Sequence, residues 1–291
     1  MVKWRGREGS KNVEDRRGVG AAAGMSGLAI LLIRFVMSRW GLGGVAVLVA
    51  GFFALQAVGI NPMALLSGQP ASGSRELSAA DQEAGQFVGV VLAETEATWS
   101  DFFARSGQDY PEPKLVMFSG KVESACGFAS AASGPFYCPA DQQVYLDTNF
   151  FAELSQRFGA PGDFAAAYVV AHEVGHHVQT ITGVADKVRR AQARASQEEG
   201  NALQVRMELQ ADCYAGVWAH QAQKQRDFLE PGDIEEGLRA AAAIGDDTLQ
   251  RGAGRRVTPE SFTHGTSEQR QQWFYRGYKN GDPGACDTFS E

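Results

Sequence analysis

His172-Glu173-Val174-Gly175-His176 is the stretch on which the reading of this chain turns. Residues four apart on a helix stand one turn above each other, so His172 and His176 can both aim an imidazole nitrogen at one ion about 2.0–2.1 Å away. Glu173 borders that face. It is poorly placed to bind the same ion, but it can hold a water in the ion's open position and act as its general base. The chain has five histidines, and a chance His-Glu-x-x-His is expected in fewer than about one such sequence in a hundred. The flanks supply a helix, with Asp163 reading as its N-cap and Gly183 as its stop.

A catalytic zinc of this type takes a third protein ligand, and Glu208 is the best-placed acid. It opens Glu208-Leu209-Gln210-Ala211-Asp212, whose spacing puts Asp212 one turn on along the same face. Asp212 is expected to accept a hydrogen bond from the far nitrogen of His172, fixing its tautomer. The plainer alternative makes Glu208 and Asp212 a solvated acidic edge.

The charge is uneven. Lys3, Arg5, Arg7, Lys11, Arg16, Arg17, Arg34 and Arg39 crowd the first 39 residues against Glu8, Glu14 and Asp15, which gives that segment +5 and leaves −12 to the rest of a chain of net charge −7. A basic start could bind nucleic acid, but the 20 uncharged residues Gly41–Ile60 follow it. As a helix they would span about 30 Å, the thickness of a bilayer's hydrocarbon. Trp40 suits one interface and Asn61-Pro62 closes the run. The expectation is a transmembrane helix over 40–61 and no nucleic-acid partner. The positive-inside rule then puts residues 1–39 in the cytoplasm and the rest in the periplasm or outside. A second apolar run, Val19–Ile33, leaves one ambiguity: if it also spanned, the two would form a hairpin returning the large domain to the cytoplasm, and the cysteines argue against that.

All four cysteines, Cys126, Cys138, Cys213 and Cys286, follow the membrane run, which suits an oxidising compartment. Three connectivities are possible. Proximity favours Cys126 with Cys138, leaving Cys213 for Cys286.

Ser67–Ser74 has linker composition. The periodicity predicts a helix over 78–105 behind a Ser78/Asp81 capping signal, strands at Lys114–Phe118 and Gln143–Asp147, and helices near 163–183, 186–199, 201–225, 233–244 and 267–278. The expected class is α+β with helices in the majority. The expected division is a basic segment 1–39, a membrane helix 40–61, a linker 62–76 and a zinc metallopeptidase domain 77–291.

His172–Gln179 with Glu208–Ala219 resembles the bacterial putative neutral zinc metallopeptidase family. Gly134–Pro139, Val144–Asp147, His264–Arg270, Cys286–Phe289 and the start Lys3–Arg7 with Asn12–Gly18 are similar too, so the likeness covers nearly the whole chain. It implies a zincin-like Zn²⁺ peptidase domain behind one membrane helix, with Glu208 as the third ligand. The segment before the membrane helix departs from the pattern: Val19–Trp40 stands where a Gly-rich stretch is expected.

The chemistry that follows is hydrolysis of a peptide or protein substrate with Glu173 as general base. The developing oxyanion needs a second electrophile, for which His264 is the candidate with Tyr214 behind it. In the competing reading Thr266 or Ser267 caps the next helix and His264 is a bystander. His177 and His220 read as structural or solvated. Two other functions share these residues: a catalytically silent membrane-bound scaffold, against which the intact Glu173 counts, and a zinc amidase acting on cell-wall material.

Overall fold

The computed structural model describes residues 1–18, 56, 76–130 and 134–290. The chain divides into two compact units, one formed by Met1–Arg16 with Ser78–Glu291 and the other by Arg17–Leu77. Among the described residues no helix is long and apolar enough to cross a membrane. The run expected to do so, 40–61, and the linker 62–76 lie outside them apart from Gln56 and Glu76.

The first unit is α+β and helix-dominated, as expected. Helix α1 (Ala79–Arg105) starts where the sequence says, behind a capping box in which Ser78 and Asp81 satisfy each other's backbone N–H. Strands β2 (Lys114–Phe118) and β6 (Gln143–Asp147) match their predicted bounds and pair in parallel. Three short strands had no clear pattern: β3 (Lys121–Ser124) and β4 (Gly127–Ser130), which form their own hairpin, and β5 (Phe136–Cys138), which lies antiparallel on β6. Helix α2 (Asn149–Gln156) was also unforeseen.

Helix α3 (Asp163–Ile181) carries the histidine motif and is buried along almost its whole length. Its N-cap is Gly162, at φ 124°, so Asp163 is the first helical residue and not the cap. Helices α4 (Val184–Gln192), α5 (Gln197–Arg226), α6 (Asp233–Ala243), α7 (Asp246–Gly252) and α8 (Ser267–Asn280) complete the unit. Only α7 among these lacked a sequence signal. Helices α3, α5 and α8 pack around Phe164, Tyr168, Trp218 and Phe274, all fully buried.

The N-terminal expectation needs correction. Residues 1–16 are not a separate basic segment; they are woven into the same unit as Ser78–Glu291. Strand β1 (Val13–Asp15) runs parallel to β2 and forms an edge of the sheet, whose order is β1-β2-β6-β5. Trp4 is 8% exposed and meets Phe87 edge to face with centroids 5.8 Å apart. Lys3 N–H donates to the Phe228 carbonyl at 2.8 Å and Ser10 N–H to that of Gly89 at 2.9 Å. The basic side chains that suggested an independent segment find acids in the same unit: Lys3 with Asp227 at 2.7 Å, Arg7 with Glu94 at 2.8 Å, and Arg5 with Glu83. Composition showed the charges, but their partners lie 78 to 224 residues away in the chain.

Both disulfides join the expected partners. Cys126–Cys138 ties the β3–β4 turn to β5, and Cys213–Cys286 clips the C-terminal segment to the middle of α5.

Because Trp4 is a core residue, Trp4→Ala should lower the unfolding free energy by about 3–5 kcal/mol in urea denaturation. Glu8→Ala, at an exposed position, should stay within about 0.5 kcal/mol of the parent. Equal, negligible effects of both would mean that residues 1–16 do not belong to the core.

Candidate metal centre

The fourth residue of the motif sets the distance between its two helices. A Cβ on Gly175 would stand 3.1 Å from the Ala211 backbone, so the absent side chain lets α3 and α5 come close. That approach brings Glu208 under the histidine pair. Its Oε2 lies 3.2 Å from His172 Nε2 and its Oε1 3.5 Å from His176 Nε2. The ligand atoms of His172, His176 and Glu208 all fall within 4.8 Å of one another.

The donor set fits zinc. A tetrahedral ion with bonds of 2.0–2.1 Å separates its ligand atoms by roughly 3.3 Å, close to the two spacings observed. Two imidazoles and one carboxylate are also the ligand types of a catalytic zinc, which keeps its fourth position open.

Each histidine presents Nε2 because its Nδ1–H is occupied. His172 Nδ1–H donates to Asp212 Oδ1 at 2.8 Å, as expected, and His176 Nδ1–H donates to Gln179 Oε1 at 2.8 Å. Gln179 is held in turn, its amide donating to the Met207 carbonyl at 2.7 Å and to Gln210 Oε1 at 3.1 Å. Gln204 donates to Glu208 Oε1 at 3.1 Å.

Asp212 is fully buried, so its charge requires partners. Arg270, 1% exposed, supplies them: Nε donates to Asp212 Oδ2 at 2.8 Å and Nη2 to Oδ1 at 2.9 Å. The Tyr168 hydroxyl also donates to Asp212 Oδ1 and accepts from Arg270 Nη2 at 3.2 Å. Burial pushes the Asp212 carboxyl up, but Arg270 and then His172 outweigh it and hold it below the usual range. Burial likewise opposes charge on His172, yet Asp212 and Glu208 lift it to about 10. The pocket is thus built to hold a cation between Glu208 and the two imidazoles, whether proton or metal ion.

Glu173, 8% exposed, lines the same cleft of about 1010 Å³ as the three ligands. One wall of the cleft is aromatic, with Phe136, Tyr137, Phe150 and Phe158, and its rim carries Arg157, Arg189, Glu153 and Asp186.

His264 also lines the cleft, with its side chain about half exposed. Asp246, the first residue of α7, holds it from behind: Oδ1 accepts from Nδ1–H at 3.2 Å, while Oδ2 accepts the backbone N–H groups of Thr263, His264 and Gly265. The bond to Asp246 raises the His264 pKa against the opposing effect of burial, and the charge of Glu208 adds to it. Thr266 caps α8 through a capping box with Gln269. The two readings of this block are therefore compatible: the cap fixes where α8 begins, and the histidine before it faces the cleft. Tyr214 does not share this role. It is 8% exposed, packs edge to face on Trp99 at 5.2 Å, and lies outside the cleft lining. His177 and His220 are structural. His177 is bonded to Tyr137 and to the Pro111 carbonyl at 2.6 Å, and His220 to the Tyr278 carbonyl at 2.7 Å.

Tyr168, Gln179, Asp246 and Arg270 were not foreseen as site residues. Three carried a signal. Tyr168 and Gln179 fall at i−4 and i+7 from His172 on its own helical face. Arg270 stands four and seven residues before Phe274 and Gly277, a charge on the buried stripe of an amphipathic helix. Asp246 carried none, since its link to His264 spans 18 residues and two breaks in the helical pattern.

With this geometry in place the chain can be compared with known proteins. It belongs to the putative neutral zinc metallopeptidase family, which it matches over residues 2–289. It is 48% identical over 297 residues to the uncharacterized protein YpfJ of Escherichia coli K12, covering 100% of this chain and 99% of that protein. It is 51% identical over 191 residues to an uncharacterized protein of Mycobacterium tuberculosis H37Rv, covering 62% of this chain and 64% of that one. No solved structure matches it.

Asp212→Asn removes the charge that orients His172 and pairs Arg270. It should weaken zinc binding by about 10–100-fold in competition with a chromogenic chelator. An unchanged affinity would mean that Asp212 serves packing alone.

Proposed function

We propose that the protein is a membrane-tethered zinc endopeptidase in which Glu173 is the general base and His264 stabilises the oxyanion. The observation that carries this reading is the convergence of His172, His176 and Glu208 on one point, with Glu173 beside them in an open cleft. The zinc that the family implies would be held by these three residues; when bound, it supplies Lewis acidity toward a water and a peptide carbonyl.

The chain's own groups do the rest. Glu173 takes a proton from the attacking water and returns it to the departing amine, which makes it base and then acid in one cycle. His264 reaches the cleft from the segment before α8, where an imidazole N–H can meet the negative charge that develops on the carbonyl oxygen. Asp246 holds its ring and favours its protonated form. The substrate backbone can lie in extended form along β5, the edge strand that contributes Phe136 and Tyr137 to the cleft. The aromatic wall suits an apolar side chain beside the scissile bond. The two disulfides suit an oxidising compartment, and the apolar run 40–61 suits a bilayer.

Glu173→Gln in the full chain should keep its zinc and lose about 10²–10⁴-fold in kcat on a peptide library. Zinc bound with no Glu173-dependent cleavage of any peptide would favour the silent scaffold; cleavage of cell-wall amides alone would favour the amidase.

The pH dependence tests His264. Its protonated form is the one that donates to the oxyanion, and Asp246 raises its pKa, so activity should persist to higher pH than a free imidazole would allow. Asp246→Asn should move the alkaline limb of kcat/KM to lower pH while zinc content stays constant. A profile that does not move would remove His264 from the mechanism.

A further inference from the structure

The strand β1 has a consequence for topology that the hydropathy of the chain alone does not reveal. Val13, Glu14 and Asp15 are parallel strand neighbours of Leu115, Val116 and Met117. Leu115 N–H donates to the Asn12 carbonyl at 2.9 Å and Arg16 N–H to that of Met117 at 2.8 Å. Side chains bind the same two parts together. Ser10 and Asn12 both donate to Glu96 of α1, at 2.6 and 2.9 Å, and Arg7 donates to the Arg226 carbonyl at 2.7 Å. Val2 and Trp4 are core residues. A single crossing between residues 17 and 77 would set these partners on opposite sides of about 30 Å of hydrocarbon. No strand pairing survives that separation.

We propose that the segment Arg17–Leu77 enters a lipid bilayer and leaves it on the side from which it came, so that residues 1–16 and the metal centre share one compartment. The sequence supplies two apolar runs for such an excursion. Gly41–Ile60 is long enough to span as a helix, about 30 Å. Val19–Ile33 gives about 22 Å by itself and reaches about 28 Å if Phe35, Val36 and Met37 extend it, with Arg34 carrying its charge along its own stem to the interface. Arg39 and Trp40 fall between the two runs in the sequence, the residue types of an interfacial turn. Four of the basic residues that would assign the N-terminus to the opposite side, Lys3, Arg5, Arg7 and Arg16, are in ion pairs with acids of the same folded unit. In this arrangement the N-terminus and the metal centre lie on one side, where a single span would put them on opposite sides. The inference does not depend on which reaction the metal centre performs.

The cysteine inventory makes the test direct, because all four native cysteines are in disulfides. Glu8→Cys and Lys279→Cys, both at exposed positions, each introduce the only free thiol of the full-length protein. The two variants are expressed in bacterial membranes and treated with a membrane-impermeant maleimide, from outside and on inverted vesicles. The expected result is that both thiols react from the same face, in protein that stays with the membrane after carbonate washing. Reaction of the two thiols from opposite faces would overturn the proposal, and so would recovery of the intact chain in the soluble fraction. Circular dichroism and disulfide content of each variant, matched to the parent, ensure that the pattern belongs to the folded protein.

Discussion

The buried carboxylate of Asp212 is the interaction on which the centre depends. It lies on α5, accepts from His172 and Tyr168 on α3, and is paired by Arg270 on α8. One group therefore ties three helices at the depth where a cation would sit. A buried charge with no partner is costly enough to prevent such a core from forming. Here the cost is offset because Oδ1 accepts from His172, Tyr168 and Arg270 and Oδ2 from Arg270, so that the guanidinium engages both oxygens. The same bonds hold the His172 ring in the tautomer that leaves Nε2 open to a metal.

Close helix packing makes that network possible. Gly175 lets α5 touch α3. Gly216 and Gly277 do the same between α5 and α8, where an added Cβ would stand 2.0 Å from the Phe274 carbonyl and 1.9 Å from that of Cys213. The distance from each metal-facing nitrogen to Glu208 is set by backbone contact, which is stiffer than any arrangement of long side chains. Cys213–Cys286 then closes the C-terminal segment over the second crossing, next in sequence to Asp212.

The N-terminal strand shows the same economy of means. A sheet of two parallel strands with a short antiparallel edge is small, and β1 lengthens its hydrogen-bonded run while Trp4 covers part of α1. The unit is thus assembled from two separated pieces of chain, Met1–Arg16 and Ser78–Glu291.

Much of the chemistry was legible in the residues themselves, because helical spacing is a local property. His172, Glu173 and His176 share a face whatever surrounds them, and Asp212 follows Glu208 by one turn for the same reason. The long helices, the strands β2 and β6, the cap at Ser78 and both cysteine pairs were readable from periodicity and proximity, while the cap before α8 was narrowed only to Thr266 or Ser267. Other features are long-range and carry no period. The bond from Asp246 to His264, the salt link from Arg270 to Asp212, the burial of Tyr214 and the pairing of β1 with β2 exist only once the helices have closed on one another. The sequence by itself determined which residues can bind a metal ion and act as its base. Only the tertiary structure decided which groups orient them and that residues 1–16 fold into the same unit as the site, since those depend on contacts between segments that the chain holds far apart.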